Sequence, residues 1–400
     1  MHIAIFTRVL PHHGIGGMQT VAWDLARAFS QHGNQVTVVS AEVPGRSHTF
    51  EDNGVQVIAI PHVSWKRYGT AWWHGSREAF ERIAPSCDAL LGVSAAANSL
   101  LPLRERYPAL PFVMQAHGTS VGEVLSKWRT RSLKNILSSS RNVAWIAKDL
   151  RAYRRYDAVV AVGDRVARDM TAAPIRWALP SDRVHLIPNG IDTEVFRPDP
   201  VARAATRKAL GWNSASHVIV SASRLHKQKG VELSLNAFAV LAKTMESARY
   251  LIVGDGPERD SLEAYAIELG LQDKVRLAGS VPRDDLPRYL QAGDALLFTT
   301  THVEGLPLNV LEALAVGMPC VVSRHLFRDV DFGRWLTRVS PHDAHLVADA
   351  LRSVLSAGVG ESCGLPPQFA LERCVKAYLE LFARLRAQCA LPTRMACDRV

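Results

Sequence analysis

Two glutamates, Glu304 and Glu312, stand on either side of the point where a predicted strand passes into a predicted helix. The apolar run Asp294–Thr299 has the length of a buried strand. After it, leucines recur at helical spacing behind Pro307, a residue that suits a first helical turn. This pattern predicts that Glu304 lies in the strand-to-helix loop and that Glu312 lies about one turn inside the helix.

The start of this helix offers backbone amides beside the two carboxylates. The N–H groups near Leu308, Asn309 and Val310 would have no partner within the helix, so they would point back into the loop that holds Gly305. A helix start of this kind favours anions. The stretch could therefore grip a sugar diphosphate, and the alternative is an ordinary strand–helix unit with two solvated glutamates.

Other charged and glycine-containing loops are predicted to reach the same edge of the sheet as Glu304. Arg224 and Lys229 leave the end of one strand just before a helix. Two fixed cations there could neutralise a diphosphate as its bond to a sugar breaks. Tight turns at Gly254–Pro257 and at Gly279 end the next two strands. The alternative for the cations is an exposed surface charge run.

The first half of the chain contributes a glycine pair and a histidine. Gly16 and Gly17 precede a helix, and such glycines let a ligand approach the backbone closely. They do not form the G-x-G-x-x-G dinucleotide fingerprint. His117 follows a predicted strand, at the carboxyl edge where parallel sheets usually bind ligands. The alternative is a hydrogen-bonded structural histidine.

Short apolar runs alternate with helical patterns along the whole chain, which is typical of βαβ units with mostly parallel sheets. The turn residues of Ile187–Asp192 end the first series, and the prolines of Phe196–Pro200 indicate a hinge before the second, so two α/β domains are predicted. The predicted strands are His2–Thr7, Gln35–Ser40, Val55–Ile60, Asp88–Val93, Phe112–Gln115, Asp157–Val162, Val184–Ile187, His217–Ser221, Tyr250–Val253, Lys274–Ala278, Asp294–Thr299 and Pro319–Ser323.

Composition excludes several classes of protein. With 400 residues, of which 48% are apolar, the chain can bury two domain cores. No uninterrupted apolar run is long enough for a spanning helix, and Met1–Phe6 resembles a strand rather than a signal peptide. The six cysteines lack C-x-x-C spacing, so neither a zinc site nor a disulfide framework is predicted. We therefore expect a protein of the reducing cytoplasm.

The net charge of +9 is concentrated in one segment. Residues Lys127–Arg155 contain nine basic side chains and a single acid, Asp149. Such a patch can contact an anionic membrane, nucleic acid or an anionic substrate, and the alternative is a solvated helix face. A second cluster, Trp65, Trp72 and Trp73 with neighbouring basic residues, could be an acceptor platform or ordinary packing.

Taken in order, these motifs resemble the GT-B retaining glycosyltransferases of family 4, over roughly residues 1–385. The motifs are Gly16-Gly17, Arg224 with Lys229-Gly230, Val253–Pro257, and Glu304 to Glu312 with Gly317-Met318-Pro319. The resemblance implies transfer of a sugar from a nucleoside diphosphate sugar with retention of configuration, without a metal. It implies the α/β GT-B fold, in which two Rossmann-like domains face each other across a cleft.

The resemblance also implies a role for each domain. Residues 1–195 would bind the acceptor, residues 196–370 would bind the nucleotide sugar, residues 371–388 would form a helix that packs back across both domains, and residues 389–400 would form a tail.

In the second domain, the resemblance assigns contacts with every part of the donor. Arg224 and Lys229 would bind the diphosphate and assist its departure, and Glu312 would bind the ribose hydroxyls. Glu304 would contact the donor sugar near the reacting carbon without necessarily acting as a nucleophile. Gly279 would approach the base through backbone groups.

The remaining assignments concern the loops beside these side chains. Amides near Gly305, Leu308 and Asn309 would complete the diphosphate grip. In the first domain, the Gly16–Gly17 pair would face the diphosphate or sugar, and His117 would lie beside the donor sugar or the acceptor.

One segment departs from the family pattern, and two other functions remain open. After Ser323, the family usually has a glycine-rich turn and a glutamate, whereas this chain is shorter there.

We expect a glycan or lipid-linked acceptor in bacterial surface polysaccharide or lipopolysaccharide synthesis, an anionic membrane contact through Lys127–Arg155, and no nucleic acid. The alternatives are a nucleotide-sugar 2-epimerase of the same fold and a non-catalytic protein that binds nucleotide sugar or nucleic acid.

Overall fold

The computed structural model describes residues 1–14, 16–122, 124, 140–302, 304–358 and 362–390. These residues divide into two compact units. The first unit comprises Met1–Gly190 together with the C-terminal helix, and the second comprises Ile191–Ala370. The division falls within the turn segment Ile187–Asp192, five residues before the boundary predicted after residue 195 and ahead of the predicted hinge Phe196–Pro200.

The first unit is built on an eight-stranded sheet with the order β3-β4-β2-β1-β5-β6-β7-β8. All neighbouring strands are parallel except β3, which pairs antiparallel with β4. The strands are β1 (His2–Phe6), β2 (Gln35–Ala41), β3 (Thr49–Asp52), β4 (Val55–Ile60), β5 (Ala89–Val93), β6 (Phe112–Ala116), β7 (Ala158–Ala161) and β8 (Val184–Leu186).

Helices cover this sheet, as strands buried at every residue, such as β1, β5 and β6, require. The α-helices are α1 (Gly17–Gln31), α2 (Thr70–Ile83), α3 (Ser140–Tyr153), α4 (Asp164–Thr171) and a C-terminal helix (Leu371–Ala390), and a long 3₁₀ segment spans Ser94–Arg106. The C-terminal helix packs on α1, where the ring of Phe29 lies 6.0 Å from the rings of both Tyr378 and Phe382. This helix belongs to the first unit.

The second unit contains a six-stranded, wholly parallel sheet with the order β11-β10-β9-β12-β13-β14. Its strands are β9 (His217–Ala222), β10 (Ala248–Val253), β11 (Val275–Gly279), β12 (Ala295–Phe298), β13 (Cys320–Ser323) and β14 (Leu336–Val339). Its helices are α5 (Pro200–Ala209), α6 (Val231–Ala242), α7 (Arg259–Glu268), α8 (Leu286–Gln291), α9 (Leu308–Ala315) and α10 (Ala344–Ala357). The C-terminal helix Leu371–Ala390 is accordingly α11.

Both units have the doubly wound α/β architecture predicted from the alternating pattern. Every predicted strand is present, and two short strands, β3 and β14, were missed. Among the described residues, no group of His, Cys, Asp or Glu side chains is arranged to hold a metal ion. None of the helices in the described ranges is both long and apolar enough to cross a membrane.

Candidate active site

The strand order of the second sheet brings the predicted site loops to one edge. Strands β9 and β12 are neighbours, and the sheet continues through β10 on one side and through β13 on the other. The loops that follow β9 and β12 therefore leave the sheet in opposite directions. An open parallel sheet forms a crevice at such a point, outside the carboxyl ends of its strands.

The loop after β9 carries the two predicted cations. Arg224 is exposed directly beyond the strand end, whereas the next residue, Leu225, is fully buried. The Leu225 amide donates to the carbonyl of Asp255, 2.9 Å away, so this loop is fixed to the loop after β10. A 3₁₀ turn over Lys227–Lys229 then leads into α6. Lys229 is thereby held at a rigid position beside the sheet edge.

Lys229 and Glu304 form a direct ion pair. Lys229 Nζ lies 2.8 Å from Glu304 Oε1, and the two side chains are 23% and 14% exposed. The Thr300 hydroxyl donates to the carbonyl of Gln228 over 2.8 Å and lies 3.3 Å from the same Glu304 oxygen. The ammonium also lies 5.6 Å from the centroid of the Phe298 ring. The structure thus brings two of the predicted residues into contact, although they are 75 positions apart.

Close backbone approach explains why a glycine follows Lys229. Gly230 has φ of +71° and is the N-cap of α6. A Cβ at this position would lie 2.1 Å from the carbonyl oxygen of Thr299. The Thr299 hydroxyl in turn donates to the carbonyl of Gly230 over 2.7 Å. The loops after β9 and β12 therefore touch through their backbones.

Helix α9 begins at Leu308, with Pro307 as its N-cap rather than in its first turn. The difference between the predicted and the observed helix start is one residue, and assigned helix ends commonly differ by one or two residues. The side-chain amide of Asn309 donates to the carbonyl of Ala222 over 3.0 Å, which fixes the start of α9 to the end of β9. Gly305 lies in the loop just before this helix start. The free amides of the first turn consequently sit at the crevice.

Glu312 lies one turn inside α9, as predicted, and is only 3% exposed. Its carboxylate oxygen Oε1 accepts a hydrogen bond from Arg283 Nη1. The Arg283 guanidinium also lies 4.7 Å from the centroid of the Phe196 ring. The alternative of a solvated glutamate is thus wrong for this residue, because a buried charge needs a partner and Arg283 supplies it.

The loops after β10 and β11 complete this edge. The Gly254 amide donates to the carbonyl of Gly279 over 2.8 Å. Gly279 has φ of +75°, in the left-handed region that favours glycine. Arg259 approaches Gly279 so closely that a Cβ there would lie 3.1 Å from its Nη1 atom.

The segment after Ser323, which departs from the family pattern, is a packed loop. Three carbonyls of this loop, those of Leu326, Phe327 and Val330, accept hydrogen bonds from the guanidinium of Arg338 on β14. His325 Nε2 lies 2.8 Å from the carbonyl oxygen of His302, in the loop that carries Glu304. The shorter segment is therefore anchored both to its own sheet and to the site loop.

In the first unit, the predicted glycines and His117 follow the strands β1 and β6. Gly16 is the N-cap of α1 and Gly17 is its first residue. The carbonyl of Gly16 accepts a hydrogen bond from the Thr20 hydroxyl over 3.0 Å. His12 and His13 in the same loop have structural partners: His12 pairs with Asp52 at 2.8 Å, and the His13 ring lies 2.9 Å from the Glu42 carbonyl oxygen.

His117 ends a hydrogen-bonded chain of three side chains. Its Nε2 lies 2.9 Å from Gln115 Oε1, and the Gln115 amide nitrogen donates to the hydroxyl of Tyr378 over 2.9 Å. Both Gln115 and Tyr378 are almost completely buried. Burial lowers the pKa of His117 to about 4. The ring is therefore neutral near pH 7, with its orientation set by a residue of α11.

The basic segment is described only in part. Residues 127–139 lie outside the described residues. Within the described part, Lys148, Arg151, Arg154 and Arg155 are exposed. Of the tryptophan cluster, Trp72 is fully buried and its indole N–H donates to the carbonyl of Ala96 over 3.1 Å, so it packs in the core.

Three residues of this arrangement were missed from the sequence. Arg283 follows a predicted strand and a Val-Pro pair, so its position at the sheet edge could have marked it. Gln115 is the penultimate residue of β6, and a polar side chain in a buried strand is itself a signal of a specific partner. Nothing local indicated Tyr378, which is 263 residues away from Gln115.

Comparison with known proteins assigns both halves of the chain to glycosyltransferase families. The model of glycosyltransferase family 4 matches residues 15–195, and that of the glycosyl transferases group 1 matches residues 202–362. The GDP-mannose-dependent alpha-(1-6)-phosphatidylinositol monomannoside mannosyltransferase of Mycolicibacterium smegmatis is 29% identical over 239 residues, which are 58% of this chain and 57% of that protein. The chain spans about half the length of the curated mycobacterial relatives that it matches.

Solved structures share the fold over nearly the whole chain. Sucrose-phosphate synthase from Thermosynechococcus elongatus aligns with a TM-score of 0.78 and 19% identity, covering 97% of this chain and 99% of that one. Anabaena HepE in complex with UDP and glucose aligns with a TM-score of 0.68 and 18% identity, covering 96% of this chain and 100% of that one. At these identities, the likeness establishes the GT-B fold.

Proposed function

Because the chain belongs to the glycosyltransferases of family 4, which have the GT-B fold, we propose that it transfers a sugar from a nucleoside diphosphate sugar to an acceptor hydroxyl with retention of configuration. The contact between Lys229 and Glu304 carries this proposal. It places a cation and a carboxylate together at the carboxyl edge of the second sheet, next to the start of α9. In such a pair, the cation can bind a diphosphate and the carboxylate can contact the sugar attached to it.

The diphosphate binds to the cations and to the helix start. Lys229 has three N–H donors, of which one faces Glu304, so the others are available to phosphate oxygens. Arg224 adds a second positive charge at the end of β9, and the amides near Gly305, Leu308 and Asn309 add donors. These groups stabilise the negative charge that develops as the sugar–phosphate bond breaks. We therefore propose that catalysis needs no metal.

The nucleoside binds behind the diphosphate. Arg283 donates to Oε1 of the buried Glu312 carboxylate, which leaves Oε2 for the ribose hydroxyls. Gly279, at the end of β11, lets the base approach the backbone, since it carries no side chain. Of the first unit, Gly17 faces the diphosphate or sugar, and His117 binds the donor sugar or the acceptor through its unprotonated nitrogen.

Retention follows from attack on the face that the diphosphate leaves. The bond between the anomeric carbon and the phosphate oxygen breaks, and the acceptor oxygen bonds to that carbon on the same face. The departing phosphate takes the acceptor's proton. Glu304 contacts the donor sugar near the reacting carbon and needs no covalent intermediate.

We further propose a glycan or lipid-linked acceptor in bacterial surface polysaccharide or lipopolysaccharide synthesis. The relative named for a phosphatidylinositol mannoside acceptor supports a lipid-linked substrate. The exposed cations of α3 support a cytoplasmic enzyme that contacts the anionic inner face of the membrane.

The test compares two lysines of the same 3₁₀ turn. Lys229→Ala should reduce turnover by about two to three orders of magnitude, since it removes a preorganised charge. Lys227→Ala removes the same charge from an exposed position two residues away and should leave turnover within about twofold of the unchanged enzyme. A nucleotide-sugar panel screened by thermal shift supplies the donor, and acceptor-dependent release of nucleoside diphosphate measures turnover.

Each alternative function predicts a different result in this assay. Interconversion of nucleotide sugars without an acceptor would identify an epimerase. Donor binding without turnover on any acceptor would identify a binding protein. Equal activity of the two lysine variants would remove the role assigned to Lys229.

A further inference from the structure

A cavity on the helical face of the first unit shares no residue with the candidate active site. It has a volume of about 820 Å³ and lies between α2, the 3₁₀ segment Ser94–Arg106 and the second half of α3. A cavity of this size suits one small-molecule ligand or lipid headgroup.

The cavity wall formed by α3 is strongly positive. Lys148 and Arg151 stand three residues apart on α3, so they lie on one face, and Arg154 and Arg155, just beyond the helix end at Tyr153, also line the cavity. All four are exposed, and none forms an ion pair within the described part of the chain. These cations repel one another, so an anion bound among them would relieve the repulsion.

Nothing on the opposite wall neutralises this charge. Arg77 of α2 also lines the cavity, held by a hydrogen bond from its Nε to the carbonyl of Ser99 over 2.8 Å. Among the described residues that line the cavity, none is acidic. The one acid of α3, Asp149, is engaged by the Ser120 hydroxyl, which donates to it over 2.6 Å. The cavity therefore selects an anion.

The rest of the lining is apolar and aromatic. Leu101 is 5% exposed, and Pro102 and Ala152 lie beside it. The Trp73 ring stacks on Tyr68, with 5.0 Å between centroids and 13° between planes, so it forms a fixed wall. Trp145 is 37% exposed, with the Lys148 ammonium 4.7 Å from its ring centroid. Tryptophan with one face in water is typical of a membrane interface.

We propose that this cavity binds the headgroup of an anionic phospholipid, with the phosphate among Lys148, Arg151 and Arg155 and the adjoining apolar part against Trp73, Leu101 and Trp145. The proposal gives a defined site to the membrane contact of the proposed function, on which it rests. A single-stranded nucleic acid also seeks cations and aromatic rings, but it needs an open groove that follows its backbone. A concave site with an aliphatic floor fits a lipid better.

The experiment measures binding of the full chain to vesicles of phosphatidylcholine with and without phosphatidylglycerol. The double variant Arg151→Gln/Arg155→Gln should bind the anionic vesicles about thirtyfold more weakly, since each cation near such a surface contributes about a factor of five. The matched control Arg82→Gln/Arg176→Gln removes two exposed arginines elsewhere in the same unit and should cost less than about threefold. An equal loss in both double variants would overturn the site in favour of general charge attraction.

Two soluble probes test the chemistry of the site through the fluorescence of Trp145. Monomeric dihexanoyl phosphatidylglycerol should change the tryptophan emission of the unchanged protein more than that of Trp145→Phe, in which Trp73 is the tryptophan that remains at the cavity. Inorganic phosphate should bind at least about tenfold more weakly, because it lacks the apolar part. Equal affinity for the two probes would overturn the lipid assignment. Displacement of the lipid by a single-stranded oligonucleotide at lower concentration would also overturn it.

Failure of this proposal is distinguishable from failure of the proposed function. Vesicle binding is measured without a donor, and sugar transfer is measured on a soluble acceptor without vesicles. An active enzyme whose cavity variants bind vesicles normally would refute the lipid site alone. A protein that binds lipid at the cavity but transfers no sugar would refute the proposed transfer alone.

Discussion

The protonation of His117 can be predicted from its surroundings. Burial lowers the pKa of His117 to about 4, from an ordinary value near 6.5. The Gln115 amide nitrogen is engaged by the Tyr378 hydroxyl, so its carbonyl oxygen faces the histidine ring. A carbonyl can only accept, and so the His117 proton is placed on Nε2. We therefore expect a neutral ring with its lone pair on Nδ1 throughout the pH range in which the enzyme would work.

The magnitude follows from linkage between protonation and folding. The pKa difference between the unfolded and folded chain is about 2.5, and each pKa unit corresponds to about 1.4 kcal/mol, so the His117 contribution is about 3.5 kcal/mol. Between pH 6.5 and pH 4, the unfolded chain binds more protons at this site than the folded chain. The contribution of His117 to the free energy of unfolding should therefore fall as the pH drops through this window, and this contribution should be constant above it.

The assay is NMR of protein labelled with ¹⁵N at histidine, with His117→Gln identifying the His117 signals by their loss. We expect no titration of His117 between pH 8 and pH 5, and nitrogen shifts of the Nε2-protonated tautomer. Denaturant unfolding should show a stability difference between the two proteins that changes as the pH falls from 6.5 towards 4. Titration with a midpoint near 6.5, or protonation on Nδ1, would refute the reasoning.

Two further predictions concern the stability of the second unit. Asp294→Asn should lower the free energy of unfolding by about 3 kcal/mol, because the carboxylate accepts a hydrogen bond from the buried Arg207 over 2.6 Å and its loss leaves that cation uncompensated. The control Asp273→Asn, at an exposed position, should lower it by less than about 0.5 kcal/mol. Gly230→Ala should lower the free energy of unfolding by at least about 3 kcal/mol, since its Cβ would lie 2.1 Å from a carbonyl oxygen. The control Gly211→Ala has a similar φ of +75° with no atom near its Cβ, and it should lower the free energy of unfolding by about 1 kcal/mol. Denaturant titrations measure both pairs, and equal losses within either pair would contradict the corresponding argument.

The strands that could be predicted are those buried on both faces, because a strand buried on both faces consists mostly of consecutive apolar residues. The two missed strands lack this pattern. Strand β3 lies at the sheet edge and reads Thr-Phe-Glu-Asp, with no residue fully buried. The following Asn53 and Gly54 have φ of 53° and 74°, and an Asn-Gly pair is a strong hairpin signal that could have revealed it. Strand β14 reads Leu-Thr-Arg-Val, and its two central residues are not buried, so it contains no continuous apolar run.

The candidate site divides along similar lines. Its loops could be placed at one sheet edge, because parallel strands all end there, and the helical position of Glu312 followed from the leucine spacing. The ion pairs and hydrogen bonds between its side chains could not be predicted. Arg283 reaches Glu312 only because the segment before α8 packs beside α9, and Tyr378 reaches Gln115 only because α11 packs on the first unit. Such contacts depend on tertiary packing that no local pattern encodes.

These pairings have a consequence for donor selection in the second unit. Without a donor, the charges of Lys229 and Glu312 are already compensated, by Glu304 and Arg283 respectively. A ligand must therefore bind Lys229 or Glu312 more favourably than Glu304 and Arg283 do, or use donors and acceptors that these partners leave open. A diphosphate carries several negative oxygens and can take the donors of Lys229 that do not face Glu304, whereas a free sugar offers no charge and would leave the ion pair intact. We expect the site to reject uncharged sugars for this reason, and to accept the sugar only as part of a molecule that brings the phosphate with it.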